Sequence, residues 1–123
     1  ADMKKIIESY QQLEAWKKSM ILAEKIYDLT KRFPKEEQFG LTSQMRRAAV
    51  SIPSNIAEGF RRQSRPEFAK FTLYSFGSAA ELETQLQLSI RIKYLSIMRA
   101  REAQKLLDEV QKILNGLYRS LRK

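Results

Sequence analysis

Histidine and cysteine are both absent from this chain, which limits the chemistry its side chains can carry. Without histidine there is no ordinary neutral-pH general base and no imidazole ligand for a metal. Without cysteine there is no disulfide, thiol nucleophile or thiolate site. Carboxylates remain, but carboxylate-only catalysis needs two acids facing each other across a pocket. Glu81 and Glu83 stand two apart in a helical stretch and point to opposite sides of it. The Glu-x-x-His pattern of di-iron bundles is impossible here, and "NIAEG" lacks the spacing of a phosphate loop. The expectation is a non-enzyme with no catalytic residue, no metal ligand and no cofactor.

Phosphate binding, by contrast, is within reach of these residues. Arg46 and Arg47 form one pair, Arg61 and Arg62 a second, and Arg65 follows closely. The last segment adds Arg99, Arg101, Lys105, Lys112, Arg119, Arg122 and Lys123. From Ser96 onward seven positive and three negative side chains supply +4 of the total charge of +9. Lys and Arg number 23 against 14 acids, which favours polyanionic partners. The candidate nucleic-acid-binding set is Arg46, Arg47, Arg61, Arg62, Arg65, Arg101, Lys105, Lys112 and Arg119. No zinc finger, KH loop or RNP aromatics accompany it, so contacts are expected mainly to phosphates, with little sequence choice. The plainer alternative is that these charges only solvate an inert basic bundle.

The elements that must position these residues are helices. The chain has 123 residues, enough for one domain, with 43% hydrophobic and 30% charged side chains. Four glycines and three prolines argue against a turn-rich β protein. No apolar run approaches the ~18 residues of a membrane span, so a cytoplasmic protein with no membrane partner is expected. Four helices are predicted, over about 10–33, 41–60, 65–93 and 97–121. In the first, Leu13, Trp16, Met20, Ala23, Tyr27 and Thr30 recur at helical spacing beside a second row of Leu22, Ile26, Leu29 and Phe33. Pro34 and Gly40 punctuate its end. Ser64, Pro66 and Glu67 announce the third helix as a capping box, and Ser96 is the N-cap of the fourth. In the fourth, Leu107, Val110, Leu114 and Leu121 lie on one apolar stripe, better used as bundle core than as a membrane anchor. Short connections make consecutive helices antiparallel, so the fold class is all-α, an up-down four-helix bundle.

The second and third helices carry more than a bundle requires. On the second, Leu41, Met45, Ala48, Ile52, Ile56 and Phe60 form the core face, and Gln44, Arg47, Ser51, Asn55 and Glu58 form a polar band. Val50, Pro53 and Ala57 lie elsewhere and are not typical of a solvated face. The third helix has Phe68, Phe71, Ala79, Leu82, Leu86 and Ile90 toward the core, while Leu73, Phe76, Ala80 and Leu88 point away. Helices apolar on two sides point to self-association, with small residues around Gly77 to let another helix approach; the plainer alternative is that a small domain packs both helices centrally. An interior proline costs ~3 kcal/mol or kinks the helix, so the second helix is expected to bend at Pro53. Ser51 and Asn55 could satisfy the groups that Pro53 disturbs. Glu58 has two readings, an i,i+4 surface pair with Arg62 or a polar network with Asn55 that reaches Glu83 and Gln85. The candidate interface is therefore Val50, Ser51, Pro53, Asn55, Ala57, Glu58, Phe76, Gly77 and Glu83.

"FP" at 33–34, "LTSQMRRAAVSIPSNIAEGFRR", "EF" at 67–68 and "GSAAELETQL" at 77–86 occur in one order over Trp16 to Leu95. In these segments the chain resembles the 23S ribosomal RNA intervening-sequence protein family, the four helix bundle proteins. It is more distantly similar to the basic accessory proteins of diversity-generating retroelements. The resemblance implies a four-helix protomer assembled as a homopentamer, with ribosomal or other structured RNA as the conjectured partner. A scaffold or accessory subunit for a nucleic-acid enzyme, without RNA contact of its own, is the alternative. One departure stands out, since Lys93 occupies the place before the closing tyrosine where the family pattern has glycine.

Overall fold

The computed structural model describes residues 7–122. Its main elements are α1 (Glu14–Thr30), α2 (Leu41–Arg61), α3 (Arg65–Arg91) and α4 (Ile97–Leu121). The first helix is shorter than its periodicity predicts. Ser9 caps a separate 3-10 turn, Tyr10–Gln12, and Leu13 is extended (ψ 131°) before α1 begins. At the other end Phe33 precedes Pro34 and cannot stay helical, so the chain leaves α1 after Thr30 and makes a short turn at Lys35–Glu37.

Each helix packs on two neighbours: α1 on α2 and α4, and α3 on α2 and α4. Paired residues run in opposite order along three of these contacts, which fixes the fourth. Lys18 meets Glu109 and Lys25 meets Glu102 across α1 and α4. Ser75 reaches Ile52 and Ser89 reaches Met45 across α3 and α2. Arg65 reaches Ser120, and Gln104 reaches Glu83, across α3 and α4. The bundle is thus up-down, and one core joins Leu22 and Ile26, Met45 and Ile52, Leu82 and Leu86, and Leu107 and Leu114, all fully buried.

Leu22, Ile26 and Leu29 on α1, with Phe33 just after it, are buried; of the first predicted row Ala23 and Thr30 are buried too, while Met20 and Tyr27 are about 40% exposed. Met20 and Tyr27 instead line a groove with Val50 and Pro53 of α2.

α2 is unbroken through Pro53, which is buried. The hydroxyl of Ser51 donates to the carbonyl of Ala48 and the amide of Asn55 to that of Ser51. These bonds do not go to Ala49, whose carbonyl is the one that loses its donor to proline. The expected repair by Ser51 and Asn55 is therefore corrected: each serves its own preceding turn.

Helix ends are capped as their residues dictate. The Ser64 hydroxyl accepts from the Glu67 N–H, and the Ser96 hydroxyl from that of Arg99. Glu67 does not complete the box; its carboxylate faces Arg62 and Lys70 instead. After α3, Lys93 takes the left-handed conformation (φ 69°) and Tyr94 N–H reaches back to Ser89 O at 2.9 Å. The turn that glycine usually makes is made here by lysine, against its own preference.

Candidate nucleic-acid interface

Near its C-terminal end α2 meets α3 closely. A Cβ on Gly59 would stand 2.6 Å from the Cβ of Phe71. Phe60 and Phe68 pack edge to face with ring centres 6.0 Å apart, and Phe71 packs on Tyr74 at 5.3 Å. Gln63 turns the chain with a left-handed backbone (φ 54°), and Ser64 starts α3 at once. This tight corner holds Arg61, Arg62 and Arg65 at one end of the bundle.

The last turns of α4 reach the same end. Arg65 Nη2 donates to the carbonyl of Ser120 at 2.7 Å. Arg119 and Arg122 are exposed there, beside exposed Lys70 of α3. Between α3 and α4 lies an open pocket of about 610 Å³, lined by Arg65, Lys70, Leu73, Tyr118, Leu121 and Arg122 among others. The carbonyl ends of α2 and α4 favour cations at this end, but the N-termini of α1 and α3 lie here too and oppose them, so the positive potential comes from the side chains.

The cations differ in how committed they are. Arg62 faces Glu58 at 3.3 Å and Glu67 at 3.7 Å, and its guanidinium lies over Phe71. Glu58 thus forms the surface pair, the simpler of its two readings. Arg61 stacks over Tyr10 and Arg122 over Tyr118, each at 5.5 Å, which leaves their outer edges to solvent.

The other predicted cations fall elsewhere. Arg46 and Arg47 lie near the start of α2, ~22 Å along the helix from Arg61 and Arg62. Arg46 packs on the Tyr27 ring and donates to Thr30 Oγ1, while Arg47 lines a cleft with Gln44, Ser51 and Glu81. Arg101 and Lys105 line a groove between α3 and α4 with Gln87 and Asp108. Lys112 is exposed further along α4. Lys123 lies outside the described residues. Among the described residues no cluster of three or more acids could hold a metal.

The candidate interface residues divide as well. Pro53 and Val50 face the α1 groove, and Ala57 falls on the same flank by helical rotation. Ser51 lies on the opposite flank in the cleft with Glu81, with half-buried Asn55 on its side of α2. Gly77 is open, with no atom within 4 Å of an added Cβ. Phe76 does not point away from the core as read from the wheel: it is half-buried and packs against it, because its long ring reaches inward from the helix edge. Glu83 accepts a 2.9 Å hydrogen bond from Gln104 on α4, so its polar contact is within the chain and not toward Glu58. Gln85 is buried and donates to Glu81.

Sequence reasoning passed over two features. Tyr118, Leu73 and Lys70 join the cationic end only through the register between α3 and α4. At the opposite end Phe39, Met98 and Ile97 are 91%, 78% and 69% exposed. Here the Tyr94 hydroxyl donates to Glu37 at 2.8 Å and joins the two connecting segments. The Leu41 N–H and then Tyr94 hold the Glu37 carboxyl below the usual carboxylate range, and the Tyr94 phenol is pushed up in turn. Lys18, bonded to Glu109, is raised and Glu109 lowered by the same contact.

The sequence profile of the 23S rRNA-intervening sequence protein family matches residues 11–116. The chain belongs to that family. Among solved structures it is similar to a protein of unknown function from the S23 ribosomal protein family of Bacteroides thetaiotaomicron VPI-5482. The identity is 26% and the TM-score 0.75, over 85% of this chain and 97% of that one. No curated protein matches. The family match takes in α1, α2 and α3, most of α4, and both connecting turns at the Phe39 end. It stops at residue 116, before Tyr118, Arg119 and Arg122. No helix among the described residues is long and apolar enough to cross a membrane.

Proposed function

We propose that this family member is a non-catalytic, self-associating bundle of the cytoplasm that binds structured RNA, ribosomal RNA first, through its cationic end. The observation that carries this reading is the convergence of Arg61, Arg62, Arg65, Lys70, Arg119 and Arg122 from three helix termini, against which stand Glu58, Glu67 and, beside Arg65, Glu8. Phosphates spaced along a backbone suit such a cluster, and the name of the family points to a ribosomal RNA context. Arg101, Lys105 and Lys112 extend positive charge along α4. Self-association, with a homopentamer as the family's expected form, draws support from half-exposed Leu88 and open Gly77 on α3. Repeated copies would multiply weak phosphate contacts by avidity.

The test compares binding of ribosomal RNA fragments and a length-matched unrelated RNA at low salt, with the assembled mass measured in the same buffer. Tighter binding of the ribosomal fragments by an oligomer supports the reading; no RNA binding by an intact oligomer overturns it.

A second reading, a protein-interaction scaffold or accessory subunit, rests on the exposed Phe39, Ile97 and Met98 at the other end. Isolated exposed side chains are ordinary, but three large ones on adjoining segments favour a protein surface. A partner bound there would hold on at high salt, where phosphate-led binding fades.

A further inference from the structure

We propose that the pocket between the first turns of α3 and the last turns of α4 receives an unpaired nucleotide, a site that rests on the RNA-binding reading and sharpens it. Its edge is cationic, with Arg65, Lys70 and Arg122, and its floor is apolar, with Leu73, Tyr118 and Leu121. At about 610 Å³ it lies in the size range of small-ligand sites. No carboxylate lines it.

That combination discriminates between occupants. A paired backbone would satisfy the cations but leave the apolar floor with nothing to cover it. A base splayed from a loop or bulge covers the floor with its face while its phosphate stays at the edge. Another copy of this chain, itself strongly basic, would bring like charges together at an edge where only Glu67, beside Lys70, offsets them. Arg122 already stands over the Tyr118 ring at 5.5 Å. A base stacking on Tyr118 takes the place of that guanidinium, which moves outward to the phosphate. Arg65 is held by its bond to the Ser120 carbonyl and so keeps its remaining donors at the pocket edge. Tyr118, Leu121 and Arg122 lie past residue 116, where the family match ends.

The experiment measures affinity for a short oligouridylate and for a fully paired RNA duplex with the same number of phosphates. The protein is wild type, Tyr118→Leu or Tyr118→Phe, each checked for unchanged helicity and assembled mass. Tyr118→Leu should weaken oligouridylate binding roughly 5- to 100-fold, the loss of one base–aromatic stack, and change duplex binding less than about twofold. Tyr118→Phe should keep wild-type affinity for both. Crosslinking with a 4-thiouridine oligomer should map to the peptides holding Leu73 and Tyr118. Duplex binding with oligouridylate affinity unmoved by Tyr118→Leu overturns the pocket and leaves phosphate binding standing. Failure of wild type to bind either RNA at low salt overturns the RNA-binding reading, and the pocket with it.

Discussion

Gly59 on α2 and Phe71 on α3 approach so closely that a methyl group on the glycine would stand 2.6 Å from the Phe71 Cβ. The Gly59 backbone has no positive φ, so the glycine is there for closeness and not for conformation. Gly59→Ala should therefore destabilise the protomer by about 1–3 kcal/mol, the range for overpacking a tight contact. Urea unfolding of the variant checks this, and an unchanged midpoint would show that the helices separate at no cost.

Gly77 is the opposite case. An added Cβ meets nothing within 4 Å in the protomer. Gly77→Ala should raise helix stability by about 0.5–1 kcal/mol in a protomer that is alone. If α3 carries the contact between copies, the same methyl should lower the assembled mass at fixed concentration. Light scattering beside unfolding curves separates the two effects.

Lys93 holds a left-handed backbone (φ 69°) that a β-carbon disfavours. Lys93→Gly should stabilise the protein by about 1 kcal/mol, read as a higher urea midpoint with unchanged slope. The loss of one positive charge at the Phe39 end should leave RNA affinity at the Arg65 end unaltered.

Glu37 and Tyr94 tie two connecting segments together, and both titrate. The Glu37 carboxyl is lowered by the Leu41 N–H and by Tyr94, so its contribution is present above the ordinary carboxylate pKa and lost as pH falls through the lowered one. The Tyr94 phenol is raised, so its contribution is present below the ordinary phenol value and lost as pH rises through the raised one. Tyr94→Phe should lower Tm at neutral pH. The gap to wild type should close as pH falls below the ordinary carboxylate range, because a protonated Glu37 no longer attracts the hydroxyl as strongly. Since phenylalanine keeps the ring packing on Phe33, a gap independent of pH would mean that the loss does not come from the bond to Glu37.

The bundle was legible because its signals are local. Ser64 and Ser96 mark helix starts that the structure keeps, and Leu107, Val110 and Leu114 fall on the buried face of α4 as their spacing requires. On α1 the wheel could not choose between two apolar rows, since the choice belongs to where α2 sits. The candidate site was harder for the same reason. Arg46 and Arg61 look alike as halves of arginine pairs, yet one packs on Tyr27 and the other stands at the cationic end. Tyr118 and Lys70 are 48 positions apart and meet at one pocket only through the pairing of α3 with α4. Nothing in the spacing of one helix carries that register.

The most direct test of phosphate binding at the cationic end is the salt dependence of RNA affinity, measured on wild type and on a triple variant, Arg61→Ala, Arg65→Ala and Arg119→Ala. With assembly unchanged, the variant should bind more weakly, and its log–log salt slope should be shallower by about 2, or ~0.7–0.9 for each phosphate contact removed. Arg46→Ala with Arg47→Ala should alter the slope far less. A wild-type slope retained in the triple variant would contradict the account and move the RNA to another face of the bundle.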